Sequence, residues 1–226
     1  MKSILILIVF FVITYVSFSQ SYTSASNGNW TNPTNWTPYG VPVTFTDVTI
    51  NHDIILDTDF MYTSGTITIN NGASLVQNIP ARRFAVSGGI LNNEGTFTVD
   101  SFAVFSGSFY NVGFSNTSIT YFNGNVINTG ILDNIDSLYN DNDLINDTGE
   151  IYADQFYNDG YFENDGYIYG SDFYNNYLFE NYDEVEYFNF YNSDSAYNDG
   201  YIYFNDHTNA GFLENGDIME GDQHFT

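Results

Sequence analysis

The chain has 226 residues, no cysteine, 28 acidic side chains against three basic ones, and a formal net charge of −25. The lack of cysteine excludes a disulfide framework, and the negative charge makes nucleic acid and anionic membrane surfaces poor partners. An apolar content of 43% and an aromatic content of 19% set it apart from disordered acidic chains and point to a packed core.

Residues 1–19 read as a secretory signal peptide. Lys2 supplies the charged end, Ile4 to Ile13 the apolar run, and Ser17-Phe18-Ser19 a small-x-small cleavage site before Gln20. The run is short for a membrane span, so none is expected after cleavage. Residues 20–46 hold Trp30 and Trp36 and the prolines Pro33, Pro38 and Pro42. They read as an N-terminal cap in which the tryptophans cover the end of a stacked core; a sugar-binding aromatic pair is the alternative. Residues 47–88 read as irregular opening coils, with Val48 and Ile50, Ile67 and Ile69, and Phe84 and Val86 expected to stack at a period near 17. Arg82 and Arg83, after Pro80, read as a solvated kink rather than an anion site.

Regular repeats occupy residues 89–226. Asn93, Asn111, Asn128, Asn146, Asn164, Asn181, Asn198 and Asn215 recur at gaps of 17 or 18 residues, each preceded two positions earlier by Leu91, Phe109, Val126, Leu144, Phe162, Phe179, Ala196 or Leu213. A fixed short period means a solenoid, whose repeats bury their apolar faces only against one another. Between Phe156 and Ile168 alternate residues are Phe156, Asn158, Gly160, Phe162, Asn164, Gly166 and Ile168, with Tyr and acids between them. Strict alternation is a strand signature and excludes a helix. The expected fold is therefore all-β: a single parallel β-helix with coils of 17–18 residues. Asparagine suits its interior for two reasons. It tolerates a left-handed corner, and its amide can bond to the same amide one coil above and below. A second column, Asn140, Asn158, Asn175, Asn192 and Asn209, runs beside the first.

The segments Gly89-Ile90-Leu91-Asn92-Asn93-Glu94-Gly95-Thr96-Phe97 and Val126-Ile127-Asn128-Thr129-Gly130-Ile131-Leu132 resemble the Leu-x-Asn-x-Gly-x-Ile repeats of filamentous-haemagglutinin-type adhesins. The stretch from Gly28 to Trp36, followed by Gly40-Val41-Pro42, resembles the opening of many secreted bacterial surface solenoids. This resemblance implies a right-handed, triangular β-helix at the cell surface and supplies no catalytic residues. A left-handed β-helix of three hexapeptides remains the alternative, since Phe156, Phe162 and Ile168 are spaced by six.

Catalytic signatures are absent from the sequence: there is no nucleophile elbow or phosphate loop, and His52, His207 and His224 match no metal spacing. His207 shares a column with Leu138, Phe156, Phe173 and Phe190 and reads as a half-buried structural histidine. Tyr139, Tyr157, Tyr174 and Tyr191 form an outward strip, read as ladder packing or as a platform for sugar rings. Glu163, Glu180 and Glu214 share another outward column. Asp154, Asp172 and Asp206 fall near a common corner, where Ca²⁺ is the candidate ion and a solvated acidic face the alternative. From Leu138 onward there are 20 acids and no Lys or Arg. These features together predict a secreted, non-enzymatic surface or adhesive solenoid with a glycan or cell-surface partner. A carbohydrate-binding module and a polysaccharide-active β-helix enzyme are the alternatives. After Met219, Phe225 is the one large apolar residue to cover the last coil, which predicts end-to-tail self-association or a longer native gene.

Overall fold

A computed structural model of the chain describes residues 20–225, with side chains through Gly221. The signal-peptide segment and the Phe225 side chain lie outside the described residues. The strands stack in parallel as a β-solenoid of about 10 turns with asparagine ladders, with no α-helix among the described residues. Among those residues, no helix is long and apolar enough to cross a membrane.

One coil shows why the sequence closes on itself. In Glu150–Asn158 the buried residues are Ile151 and Ala153, then Phe156 and Asn158, so the alternation slips by one at Asp154–Gln155 and the strand turns a corner there. Bends at 159–160 and 165–166 flank the short strand Tyr161–Asn164, which buries Phe162 and Asn164. Each coil therefore has three faces, and each face sends two side chains inward. Corner amides keep the ladder running: the Asp165 N–H donates to the Asn146 carbonyl and the Asp159 N–H to the Asn140 carbonyl, both at 2.8 Å.

The mixture of 17- and 18-residue gaps has a local cause. Between Asn93 and Asn111 the extra residue falls between Val104 and Ser108, since Val104 pairs with Phe122 but Ser108 with Asn125, and Gly107 there has φ 90°. Between Asn128 and Asn146 the extra residue is Asn134, at φ 57°. Between Asn146 and Asn164 it is Thr148, at φ 61°. These two are the non-glycine residues with positive φ among the described residues, so none of the ladder asparagines is left-handed. The conformational reason for asparagine in these columns is thus incorrect, and the amide hydrogen bond is what remains.

The opening coils also depart from the expected register. Val48 pairs with Ile67 and Ile50 with Ile69, so the two pairs do stack, but not at the period of 17 that would set Ile50 against Ile67. The next coil, however, sets Ile67 against Leu91 and Ile69 against Asn93, while Phe84 belongs to another face, between Phe60 and Phe102. The segment around 78–82 adds residues to this coil, which a constant period cannot anticipate. Parallel pairing also starts earlier than residue 47. Ser21–Ser24 pairs with Asp47–Ile50, and Gly28–Asn29 with Asp53–Leu56, so the first coil begins inside the tryptophan-rich segment. Trp36–Thr37 then folds back antiparallel on Ser21–Ser24. Trp30 and Trp36 are buried edge-to-face with centroids 5.0 Å apart, and the Trp36 indole N–H donates to the Trp30 carbonyl at 2.8 Å.

Candidate functional site

The interior columns are continuous. Each ladder amide donates from Nδ2 to the Oδ1 of the next asparagine: Asn93 to Asn111, Asn111 to Asn128, Asn128 to Asn146, Asn146 to Asn164, Asn164 to Asn181, Asn181 to Asn198 and Asn198 to Asn215, at 2.6–2.8 Å. The second column does the same from Asn140 through Asn158, Asn175 and Asn192 to Asn209 at 2.7–2.8 Å. The amides also serve the corners: Asn164 donates to the Gly166 carbonyl at 2.7 Å and to the Glu184 carbonyl at 3.3 Å. All bonds point one way, so each ladder has a polarity. Its first carbonyl oxygen must then face whatever lies below. That neighbour is Ile69 under Asn93 and Phe122 under Asn140, and Oδ1 of both asparagines is buried without a hydrogen-bond partner. At the other end Asn215 accepts from Asn198 but is exposed, because it belongs to the last described coil; the expectation that all eight lie inside fails there.

On the outside, the tyrosine strip is one member longer than the sequence reading made it. Tyr121 stacks on Tyr139, and Tyr139, Tyr157, Tyr174 and Tyr191 follow, with centroids 4.6–4.9 Å apart and planes within 4–7° of parallel. Between Tyr121 and Tyr191 the rings cover one another's faces, so a sugar laid along the strip would have access only to ring edges. Tyr121 was missed because polar Thr120 precedes it on the inside, where the other four follow Leu138, Phe156, Phe173 and Phe190; its register with Tyr139 was the available signal.

The acidic faces are paired with phenols rather than with cations. The Tyr161 hydroxyl lies 2.5 Å from Glu163 and 2.8 Å from Glu180, the Tyr167 hydroxyl donates to Glu186 at 2.9 Å, and that of Tyr152 to Glu150 at 2.8 Å. Glu163 and Glu180 are neighbours in register, whereas Tyr197 separates Glu180 from Glu214. Burial, then the bonded carboxylates, push the Tyr161 and Tyr167 phenols well above their usual range.

The three aspartates proposed for Ca²⁺ do not assemble. Asp172 and Asp206 share a column with Asn189 between them, and Asn189 Nδ2 donates to Asp172 at 2.6 Å. Asp154 lies one position before that column, since Gln155 is the residue in register with Asp172. Asp172 and Asp206 are thus two coils, or about 10 Å, apart, and an amide already engages one of them. No group of three His, Cys, Asp or Glu among the described residues is placed to hold a metal. His207 is buried in the expected column, its ring stacked on Phe190 with centroids 5.5 Å apart, and burial lowers its pKa.

This arrangement sets a pH dependence. Burial first, then neighbouring carboxylates, raise Asp165 and Glu184 above ordinary values. The folded state therefore binds protons more tightly than the unfolded one. The stability these groups contribute is full below their unfolded pKa and is lost as pH rises through the folded one. His207 has the opposite sign, its contribution being lost as pH falls through its lowered pKa, but it is one group against an acidic face. The expected result is a higher melting temperature at pH 4.5 than at pH 7.5 in low salt, with 0.5 M NaCl at pH 7.5 recovering part of the difference. A lower melting temperature at pH 4.5 would refute this sign.

Comparison with protein-family models, with curated proteins and with solved structures yields no match. The fold and the columns themselves carry the functional reading.

Proposed function

We propose that the chain is a secreted, non-enzymatic β-solenoid that serves as a rigid, extended and adhesive element at a cell surface. The observation that supports this reading is repetition on the outside as well as the inside. Tyr121 to Tyr191 present the same group in five successive coils, and on another face the Tyr167–Glu186 pair recurs as Tyr201–Glu220. A catalytic centre is a local, unrepeated constellation, whereas a periodic surface suits display and multivalent contact.

Secretion is tested by expressing the full chain in a bacterial host under its own leader. The expected mature N-terminus is Gln20, with the product outside the cytoplasm or open to added protease on intact cells. Retention in the cytoplasm with residues 1–19 uncleaved would overturn the surface role. Adhesion is tested with beads coated with the purified chain, expected to stay on glycan- or cell-coated glass under flow longer than albumin-coated beads. Equal retention would remove the adhesive part and leave a spacer.

A further inference from the structure

The outward column that carries the tyrosines does not begin with them. Read from the N-terminal end it is Met61, Ala85, Ala103, Tyr121 and Tyr139, each in register with the next. Two alanines thus stand where two further rings would continue the stack. They leave a slot about two coils, or about 10 Å, long. Met61 closes one end, and the ring of Tyr121 closes the other. Tyr121 is stacked by Tyr139 on one side and has only Ala103 below it on the other, so the strip has an uncovered ring face here.

The slot is a groove of about 590 Å³ whose lining includes Asp59, Met61, Arg83, Ser101, Phe105 and Tyr121. That volume lies in the range of small-ligand sites, and its mixture of apolar wall with a few polar groups is their usual composition. The polar groups come in both senses. Arg83 can only donate, Asp59 can only accept, and Ser101, whose hydroxyl donates to Asp100 Oδ2 at 3.3 Å, keeps lone pairs to accept. Asp59 is held at the rim by the Arg83 backbone N–H, which donates to its Oδ1 at 3.1 Å. Arg83 is one of the two cationic side chains among the described residues, and the chain as a whole carries a net charge of −25.

From this geometry we infer that the groove binds a neutral pyranose, with the apolar face of the sugar on Tyr121 and its hydroxyls on Asp59, Arg83 and Ser101. A sugar hydroxyl both donates and accepts, so it satisfies an acid and a guanidinium together. An anion would meet Asp59 and the field of the whole chain, and a cation would meet Arg83. An aromatic ligand would stack on Tyr121 but make no use of the three polar groups. The site does not depend on the surface role proposed above, because a cytoplasmic chain with the same groove would bind the same sugar.

The test is calorimetric titration of the full chain with cellohexaose, laminarihexaose, maltohexaose, mannohexaose and chitohexaose, with hexagalacturonate and p-nitrophenol as comparisons. At least one neutral hexasaccharide is expected to bind with a dissociation constant in the millimolar range or below. Ala103→Tyr, which fills the slot by extending the ladder, should weaken that binding at least tenfold without lowering the melting temperature. Tyr121→Ala should weaken it equally. Tyr191→Ala, at the far end of the strip, should leave it unchanged. If Ala103→Tyr does not fold, Ala85→Tyr and Tyr121→Ala carry the test. No binding of any neutral hexasaccharide, undiminished binding in the slot-filling variant, or equal or tighter binding of hexagalacturonate or p-nitrophenol would overturn the assignment.

Discussion

Asn164→Leu should destabilise the solenoid by about 3–5 kcal/mol although it buries a more apolar side chain. The substitution removes both ladder bonds of the residue and leaves two buried groups short of partners. These are Oδ1 of Asn181, now 2.7 Å from Asn164 Nδ2, and an N–H of Asn146, now 2.7 Å from Asn164 Oδ1 and left with only the Tyr167 carbonyl at 3.5 Å. The Gly166 carbonyl at the corner loses its shorter donor and keeps the Glu184 backbone N–H at 3.2 Å. Each unsatisfied buried group costs about 1–3 kcal/mol, while the gain from the apolar side chain is limited by the space an asparagine leaves. The polarity of the ladder supplies the control. Asn93 already has an orphan carbonyl oxygen over Ile69, so Asn93→Leu only moves the start of the ladder up one coil, to Asn111. It should cost about 1 kcal/mol or less beyond the loss of the bond to the Phe114 carbonyl. Urea unfolding of the two variants beside the parent gives the comparison. Equal midpoints for Asn93→Leu and Asn164→Leu would mean that position along the ladder is irrelevant and that the amide chain is not a cooperative element.

The two asparagine columns were legible in the sequence because identical residues at a fixed period must stack in any parallel coil. The inward apolar partners followed from alternation, so the regular coils from residue 89 onward could be written down in register. The reading failed where coils change length. Nothing in a period of 17 shows that residues 78–82 swell one coil and move Phe84 to a different face from Ile67. The candidate groove was invisible for a related reason. Ala85 and Ala103 look like ordinary strand residues until the register places them in the column of the tyrosines. The corner aspartates failed through a one-residue shift, since Asp154 precedes the position that Asp172 and Asp206 occupy.

Gly170→Val should be at least as damaging as Asn164→Leu, at about 4 kcal/mol or more, for a reason that lies in packing rather than hydrogen bonding. Gly170 stands in the first face between Ala153 and Tyr187. Its φ is not in the left-handed region that favours glycine, so conformational freedom does not explain it. Space does. A Cβ built there falls onto the Ala153 carbonyl oxygen and 2.6 Å from Cε1 of Tyr187. Tyr187 is an inward residue, in phase with Val185, and is fully buried. Its hydroxyl reaches past the glycine to donate to the Ala153 carbonyl at 3.1 Å, and burial pushes its pKa far above the usual phenol range. The large ring above and the missing side chain below are one interlocked unit. Overpacking of a core usually costs about 1–3 kcal/mol because flexible side chains give way. Here the opposing atom belongs to the backbone of the coil below, which cannot retreat without breaking its own strand pairing. Repeat proteins lose stability locally, so the expected signature is fast amide exchange in residues 150–190 with near-parental protection in residues 90–125. Tyr187→Phe, which removes only the hydroxyl bond, should cost about 1 kcal/mol. Uniform loss of protection along the whole chain after Gly170→Val would refute the local interlock, and so would no loss at all.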